Sequence, residues 1–210
     1  MRPVVITRTL ATADADGIAQ AQTLVGAGLL TLNGALVVAG VAQLDVQRIV
    51  GVASTGDLTG VTFTIYGTDQ NGNTISESVV GPNNGTASTA LNFLTVNQVA
   101  ASGAVGTNVT VGTTSVGASV AVPLDIYLDP FNTSLFLDVT GTVNITLQYT
   151  GDDNVLTSAG PFVWYDHTDL TGQTTDAVGT IISPVTAVRL LTNSGTGTAE
   201  LTVLQAGAAS

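Results

Sequence analysis

The segment Gly60 to Gly81, GVTFTIYGTDQNGNTISESVVG, leaves the chain little choice of local structure. Val61, Phe63 and Ile65 alternate with Thr62, Thr64 and Tyr66, the period of two that marks a strand with one buried face. Asp69-Gln70-Asn71-Gly72 then supplies turn residues, after which Ile75 and Val79 return. A two-residue Asn71-Gly72 loop would pair Ile65 with Ser78 and send Ile75 and Val79 to the wrong face, so parity requires a loop with an odd residue count. The expected loop is Gln70-Asn71-Gly72, a type I turn closed by a left-handed glycine. On this register Glu77 shares the face of Ile75 and Val79. Burying an unpaired carboxylate is costly, so Glu77 is expected at a sheet edge, a domain seam or a subunit contact, beside a hydrogen-bond partner or solvent.

The same unit recurs along the chain. Pro130 to Gly151 (PFNTSLFLDVTGTVNITLQYTG) and Pro184 to Gly207 (PVTAVRLLTNSGTGTAELTVLQAG) align from their last glycines, share Gly-Thr turns, and match Ile145 and Leu147 with Leu201 and Val203. Each reads as one hairpin with proline ahead of its first strand, where a missing N–H does least harm. Asn33-Gly34 reads as a hairpin turn between Leu29 to Leu32 and Ala35 to Val38, so the apolar run Val25 to Val41 is expected as a buried hairpin and not as a membrane helix. Asp16 to Leu24 could form a short helix, and Gly81 to Thr86 reads as a loop. Leu91 to Ala100, Asn108 to Val122, Leu124 to Leu128 and Phe162 to Tyr165 read as further strands, with a boundary near Val122-Pro123. The expectation is an all-β protein of two β-sandwich or jelly-roll-like domains built from repeated antiparallel hairpins, with very little helix. Residues 1–122 would form an N-terminal β-domain with an extended arm, and residues 123–210 a C-terminal β-sandwich.

Charge decides what such a protein can touch. There is no lysine, and the four arginines, Arg2, Arg8, Arg48 and Arg189, are scattered against fifteen acids, for a net charge of −11. Nucleic acid and anionic membrane both call for clustered cations, so neither is an expected partner. Only 9% of residues are charged while 44% are hydrophobic, and strand edges are commonly guarded by lysine. Copies of the same chain, by preference as a homotrimer, or a larger shell are therefore expected to cover the surface, and Met1 to Leu10 is expected to add a strand to a neighbouring subunit or shell. The absence of cysteine excludes disulfide and thiolate–metal frameworks.

Chemistry has few places to reside. His167, the only histidine, lies in Trp164-Tyr165-Asp166-His167, but one imidazole without cysteine cannot build the usual zinc set and has no second base beside it. It is expected to cap a strand end, with Trp164 a core or interface anchor. Asp14-Ala15-Asp16-Gly17 and Asp69 to Asn73 look faintly like calcium loops yet lack the further ligands and the distal glutamate of that pattern. Gly151-Asp152-Asp153-Asn154 is an acidic loop tip. No catalytic, cofactor-binding or metal-binding residue is expected, no cofactor is implied, and the interaction candidates are Trp164, Tyr165, His167 and Glu77.

Three stretches, LLTLNGALVVAGVAQLD (29–45), GVTFTIYGTDQNGNTISESVVGPNNGT (60–86) and PVTAVRLLTNSGTGTAELTVLQAG (184–207), resemble a loose family of tailed-bacteriophage virion structural proteins. The resemblance implies a non-enzymatic β-rich component of the virion, a capsid decoration, head-accessory or tail protein, whose partners are itself and other virion proteins such as the major capsid protein. The alternative is a tail or surface β-sandwich that binds glycan or a host receptor through Trp164, Tyr165 and loop acids. Sugar binding generally needs several exposed aromatic faces, and only 5% of the chain is aromatic.

Overall fold

The structure is a computed structural model that describes residues 4–158 and 162–209. The described chain is all-β with one short 3-10 turn, Thr168–Leu170. Its strands are β1 (Val4–Thr9), β2 (Ala19–Leu24), β3 (Gly28–Leu29), β4 (Val37–Val38), β5 (Val41–Asp57), β6 (Thr62–Thr68), β7 (Thr74–Val80) and β8 (Asn83–Ala101). Then follow β9 (Val105–Ala118), β10 (Val122–Pro123), β11 (Leu128–Thr140), β12 (Val143–Thr150), β13 (Tyr165–Asp166), β14 (Ala177–Ile181), β15 (Ala187–Gly195) and β16 (Thr198–Ala209). They divide into two compact units, one of Ala13–Gly117 and one of Met1–Thr12 with Ala118–Ser210. The division falls at 117/118 where 122/123 was expected, and the N-terminal segment belongs with the C-terminal half.

In the unit of Ala13–Gly117 the strands run in the order β2, β9, β5, β8, β6, β7, with β3 on β8 and β4 on β5. The β6–β7 hairpin has the register argued from parity: Phe63 faces Val79 and Ile65 faces Glu77. Asp69 N donates to Asn73 O at 3.0 Å and Gly72 N to Asp69 O at 3.2 Å, with Gly72 at a φ of 80°. Phe63, Ile65 and Ile75 are buried, and β7 is the last strand of its sheet.

Elsewhere in this unit long-range contacts override local signals. Asn33-Gly34 does not turn a hairpin, because β3 pairs with β8 and β4 with β5. A Cβ on Gly34 would sit 2.2 Å from the Gly17 carbonyl group, so this glycine serves a close approach of two backbones. Asn33 Oδ1 meanwhile accepts from Gln20 N at 2.9 Å. The hairpin forms one step later, where Val38 faces Val41 across Ala39 and Gly40, both with positive φ (51° and 82°), as a two-residue primed turn requires. Residues 19–24 are a strand and not a helix. The expected loop Gly81 to Thr86 is strand from Asn83 on, since Asn83 faces Asp57 and Gly85 faces Ser54, with Asn84 in the left-handed region at a φ of 48°. The expected short strands of Asn108 to Val122 are mostly the single strand β9.

The other unit is a β-sandwich. One sheet has the order β1, β16, β11, β14, and the facing one β13, β12, β15 with β10 on β15. Leu135, Leu137, Leu201 and Val203 from the first meet Ile145, Leu147, Val188 and Leu190 from the second in one core. The sequence repeat is built differently from the expected hairpins. β11 and β12 do not pair with each other, nor do β15 and β16; β11 pairs with β16 and β12 with β15. Each repeat is an arch whose two strands lie in opposite sheets, and the two arches interlock. A hairpin would turn both apolar faces to the same side and leave them to be covered from elsewhere, whereas an arch sets Leu135 and Leu137 against Ile145 and Leu147 across the sandwich. The arch turns nest: Thr196 N and Gly197 N both donate to Thr142 O at 3.0 Å, and a Cβ on Gly195 would lie 2.3 Å from that oxygen.

β1 also departs from expectation. It pairs along its length with β16 of the same chain, Val4 facing Val203 and Thr9 facing Thr198, and does not reach outward as an arm. Its Arg8 guanidinium donates to the Ala118 carbonyl. Residues 124–127 form a turn and not a strand, Pro130 lies inside β11 at a register irregularity, and of Phe162 to Tyr165 only Tyr165 is strand, within the two-residue β13.

Candidate functional site

Three of the four expected interaction residues come together at β13, and strand alternation splits them between two faces. β13 is the edge strand beside β12, with Tyr165 opposite Tyr149 and Asp166 opposite Gln148. On the outward face Arg189 of β15 lies over the Trp164 ring, its guanidinium carbon 4.1 Å from the centroid. Arg189 Nε donates to Gln148 Oε1 at 2.9 Å, and Gln148 Nε2 to Asp166 Oδ1 at 2.8 Å. Burial lowers the Arg189 pKa to about 10, opposed by the charge of Asp166. Trp164 itself is half-buried and packs with Phe162 against Ala121, Val155 and Ala187. One face of the indole is thus occupied by a cation of its own chain, which suits an anchor better than a platform for sugar.

On the opposite face Tyr165 stacks on Tyr149 at 6.1 Å between centroids, and His167 meets Tyr149 edge-on at 6.4 Å. His167 is buried and precedes the 3-10 turn as its N-cap. Its Nδ1 accepts from Asp169 N at 3.2 Å, and its Nε2 donates to Thr180 O at 3.0 Å. Those partners place the hydrogen on Nε2. The backbone of His167 is equally engaged, with its N donating to Leu147 O and its O accepting from Leu170 N and Thr171 Oγ1. A ring with both nitrogens engaged by backbone has no lone pair to offer a substrate without losing a cap. Thr180 belongs to β14, the terminal strand of its sheet, so the imidazole holds an acceptor on an edge where lysine guards were absent from the sequence. A shallow hollow of about 250 Å3 beside it is lined by Tyr149, His167, Asp169, Ile182 and Val185 among others.

Glu77, the fourth candidate, belongs to the other unit. It is half-buried on edge strand β7, and its carboxylate accepts from Ala90 N at 2.8 and 3.0 Å and from Leu91 N at 2.8 Å. It therefore clamps the backbone of β8 beside the sheet edge. The acid–asparagine loops are likewise occupied by turn geometry. Asp69 Oδ1 accepts from Asn71 N and Asn73 N, Asp14 Oδ1 accepts from Asp16 N, and Asp152 Oδ2 accepts from Val163 N. No group of three or more His, Cys, Asp or Glu among the described residues is placed to hold a metal ion.

The surface with the most unspent chemistry was missed in the sequence. On the outer face of the β1–β16–β11–β14 sheet, Val5, Thr202, Phe136 and Val178 are successive cross-strand partners. Val5, Phe136 and Val178 are 53%, 45% and 64% exposed. The next row along the strands is Thr7, Glu200 and Asp138, with Asp176 just before β14, its Oδ1 accepting from Val139 N at 2.9 Å. Between the rows lies a hollow of about 470 Å3. The run Leu135-Phe136-Leu137 hides the outward phase of Phe136, because three consecutive large apolar residues show no alternation; the outward Ser134 and Asp138 on either side of it carry the parity. Comparison with protein-family models and with curated proteins finds no match to this chain.

Proposed function

We propose that this chain is a non-enzymatic structural protein of a bacteriophage virion, which decorates or cements the capsid by associating with itself, as a homotrimer, and with the shell. The observation that carries the docking part of the reading is the exposed row Val5, Phe136 and Val178 on one sheet face of a chain without lysine. Exposed apolar surface of this kind marks an interaction site more often than a solvated face. The use of His167 and Glu77 as backbone cap and clamp, and of Arg189 as a cover on Trp164 held by Gln148, supports the same reading, since side chains engaged within their own chain are poorly suited to turnover. The resemblance of residues 29–45, 60–86 and 184–207 to virion structural proteins supplies the setting. The glycan-binding alternative is weakened by the Arg189 guanidinium on Trp164. The test is localisation in a cryo-EM map of purified particles of a tailed phage whose genome encodes the chain. Density for both units repeated on the head at symmetry-related positions is expected, and particles in which the chain is absent from head and tail alike would overturn the reading.

A further inference from the structure

Resting on that structural reading, we infer that the outer face of the β1–β16–β11–β14 sheet docks an extended segment of a different protein, in which an apolar side chain is followed two residues later by Lys or Arg. The first ground is the pairing of an apolar row with an acidic row. Val5, Phe136 and Val178 lie one strand step of two residues from Glu200, Asp138 and the position of Asp176. Residues i and i+2 of an extended segment are separated by about 7 Å on one face, so apolar-x-basic matches the two rows.

The second ground is that the acids are arranged against the fold's own interest. Glu200 and Asp138 are directly opposite on neighbouring strands, a placement that destabilises a sheet when charges are alike. Asp176 completes the cluster. Among the described residues the fold supplies them only with Thr7 Oγ1, which donates to Glu200 Oε2 at 3.3 Å, and with Val139 N on Asp176. A ligand bearing cations relieves the repulsion and is preferred over neutral competitors for that reason.

Charge also favours a different protein over a second copy as the occupant. Arg8 and Arg48 are buried, and Arg189 is held between Trp164, Gln148 and the charge of Asp166. Arg2 lies outside the described residues. A second copy therefore carries fifteen acids and, among the described residues, no cation that is not already engaged. Self-association belongs to other surfaces, and this one selects a heterologous partner.

The test uses the full chain and a fluorescent synthetic peptide that repeats Val-Thr-Lys-Thr, with a Val-Thr-Glu-Thr peptide as its counterpart. Fluorescence anisotropy is expected to show binding of the Lys peptide alone, weakened by salt. Affinity should fall on the order of tenfold in Asp138→Asn/Glu200→Gln and again in Phe136→Ser. The charge-matched control Asp16→Asn/Asp153→Asn should leave it unchanged. The Asn/Gln variant should melt no lower than the parent, because it removes a like-charge pair, so lost binding there is not unfolding. Equal weakening by the control, no binding of the Lys peptide, or a homo-oligomer that Phe136→Ser dissolves would each overturn the inference. Phage particles that bind Phe136→Ser as well as the parent remove this docking face but leave the structural role intact; failure of the parent to bind particles removes the structural role itself.

Discussion

Replacing His167 by alanine tests whether the only imidazole is a structural part. The substitution removes the Nδ1 cap on Asp169 N and the Nε2 bond to Thr180 O. Each side-chain hydrogen bond contributes roughly 0.5–1.5 kcal/mol net, and loss of an N-cap alone costs about 1 kcal/mol. The buried ring also packs against Tyr149 and near Gly179, where an added Cβ would meet His167 Cε1 at 3.1 Å. Together these give a destabilisation of about 2–3 kcal/mol, or roughly 5–10 °C in midpoint for a chain of this length melting as one transition. Asparagine is a good N-cap but too short to reach Thr180 O, so His167→Asn should recover about half of the loss. The assay is calorimetry or circular-dichroism melting of the parent and both variants at neutral pH. An alanine variant that melts with the parent, or an asparagine variant no better than alanine, would refute the assignment of His167 as a cap.

Four further outcomes follow from the geometry. Arg48 is 1% exposed and forks onto Asp45 with two contacts of 2.7 Å, so Asp45→Ala should cost about 3–5 kcal/mol in chemical denaturation, and Arg48→Met less, because Asp45 is 34% exposed and can rehydrate. Glu77→Ala should cost about 1.5–3 kcal/mol by releasing Ala90 N and Leu91 N, and Glu77→Gln less, since one oxygen remains to accept; equal losses would contradict the clamp. Thr192 is buried with Oγ1 unpartnered, so Thr192→Val should stabilise by about 1 kcal/mol in the same assay. The lowered pKa of Arg189 means that the unfolded chain holds that proton more tightly, so the residue's contribution rises as pH climbs above about 10 and is lost as pH falls through 10; denaturation midpoints of the parent and Arg189→Gln should diverge above that pH in favour of the parent.

Much of the fold was legible where the signal is local. The β6–β7 register followed from the parity of Phe63, Ile65, Ile75 and Val79, and Glu77 found its backbone partners where parity placed it. The arches were not legible, because an arch and a hairpin use the same Gly-Thr turn and the same alternation, and differ only in which distant strand takes each edge. The displacement of the Asn33-Gly34 turn has the same origin, since the close approach of Gly17 depends on residues far from the local motif in pairing if not in sequence. At the candidate site, the bland reading of His167 as a cap could be argued from the scarcity of other ligands. Its partner Thr180 and the cover of Trp164 by Arg189 could not, as both bring together strands whose pairing the sequence does not announce. The acidic and apolar rows escaped for a related reason: Val5, Phe136, Val178, Asp138 and Glu200 come from four strands and become one surface only through the interlocked arches.

The most direct test of a structural, associating role is sedimentation of the isolated protein at micromolar concentration, with and without tailed-phage particles. The account predicts a stable homo-oligomer, a trimer by preference, that co-sediments with particles. A stable monomer that stays in the supernatant would contradict it.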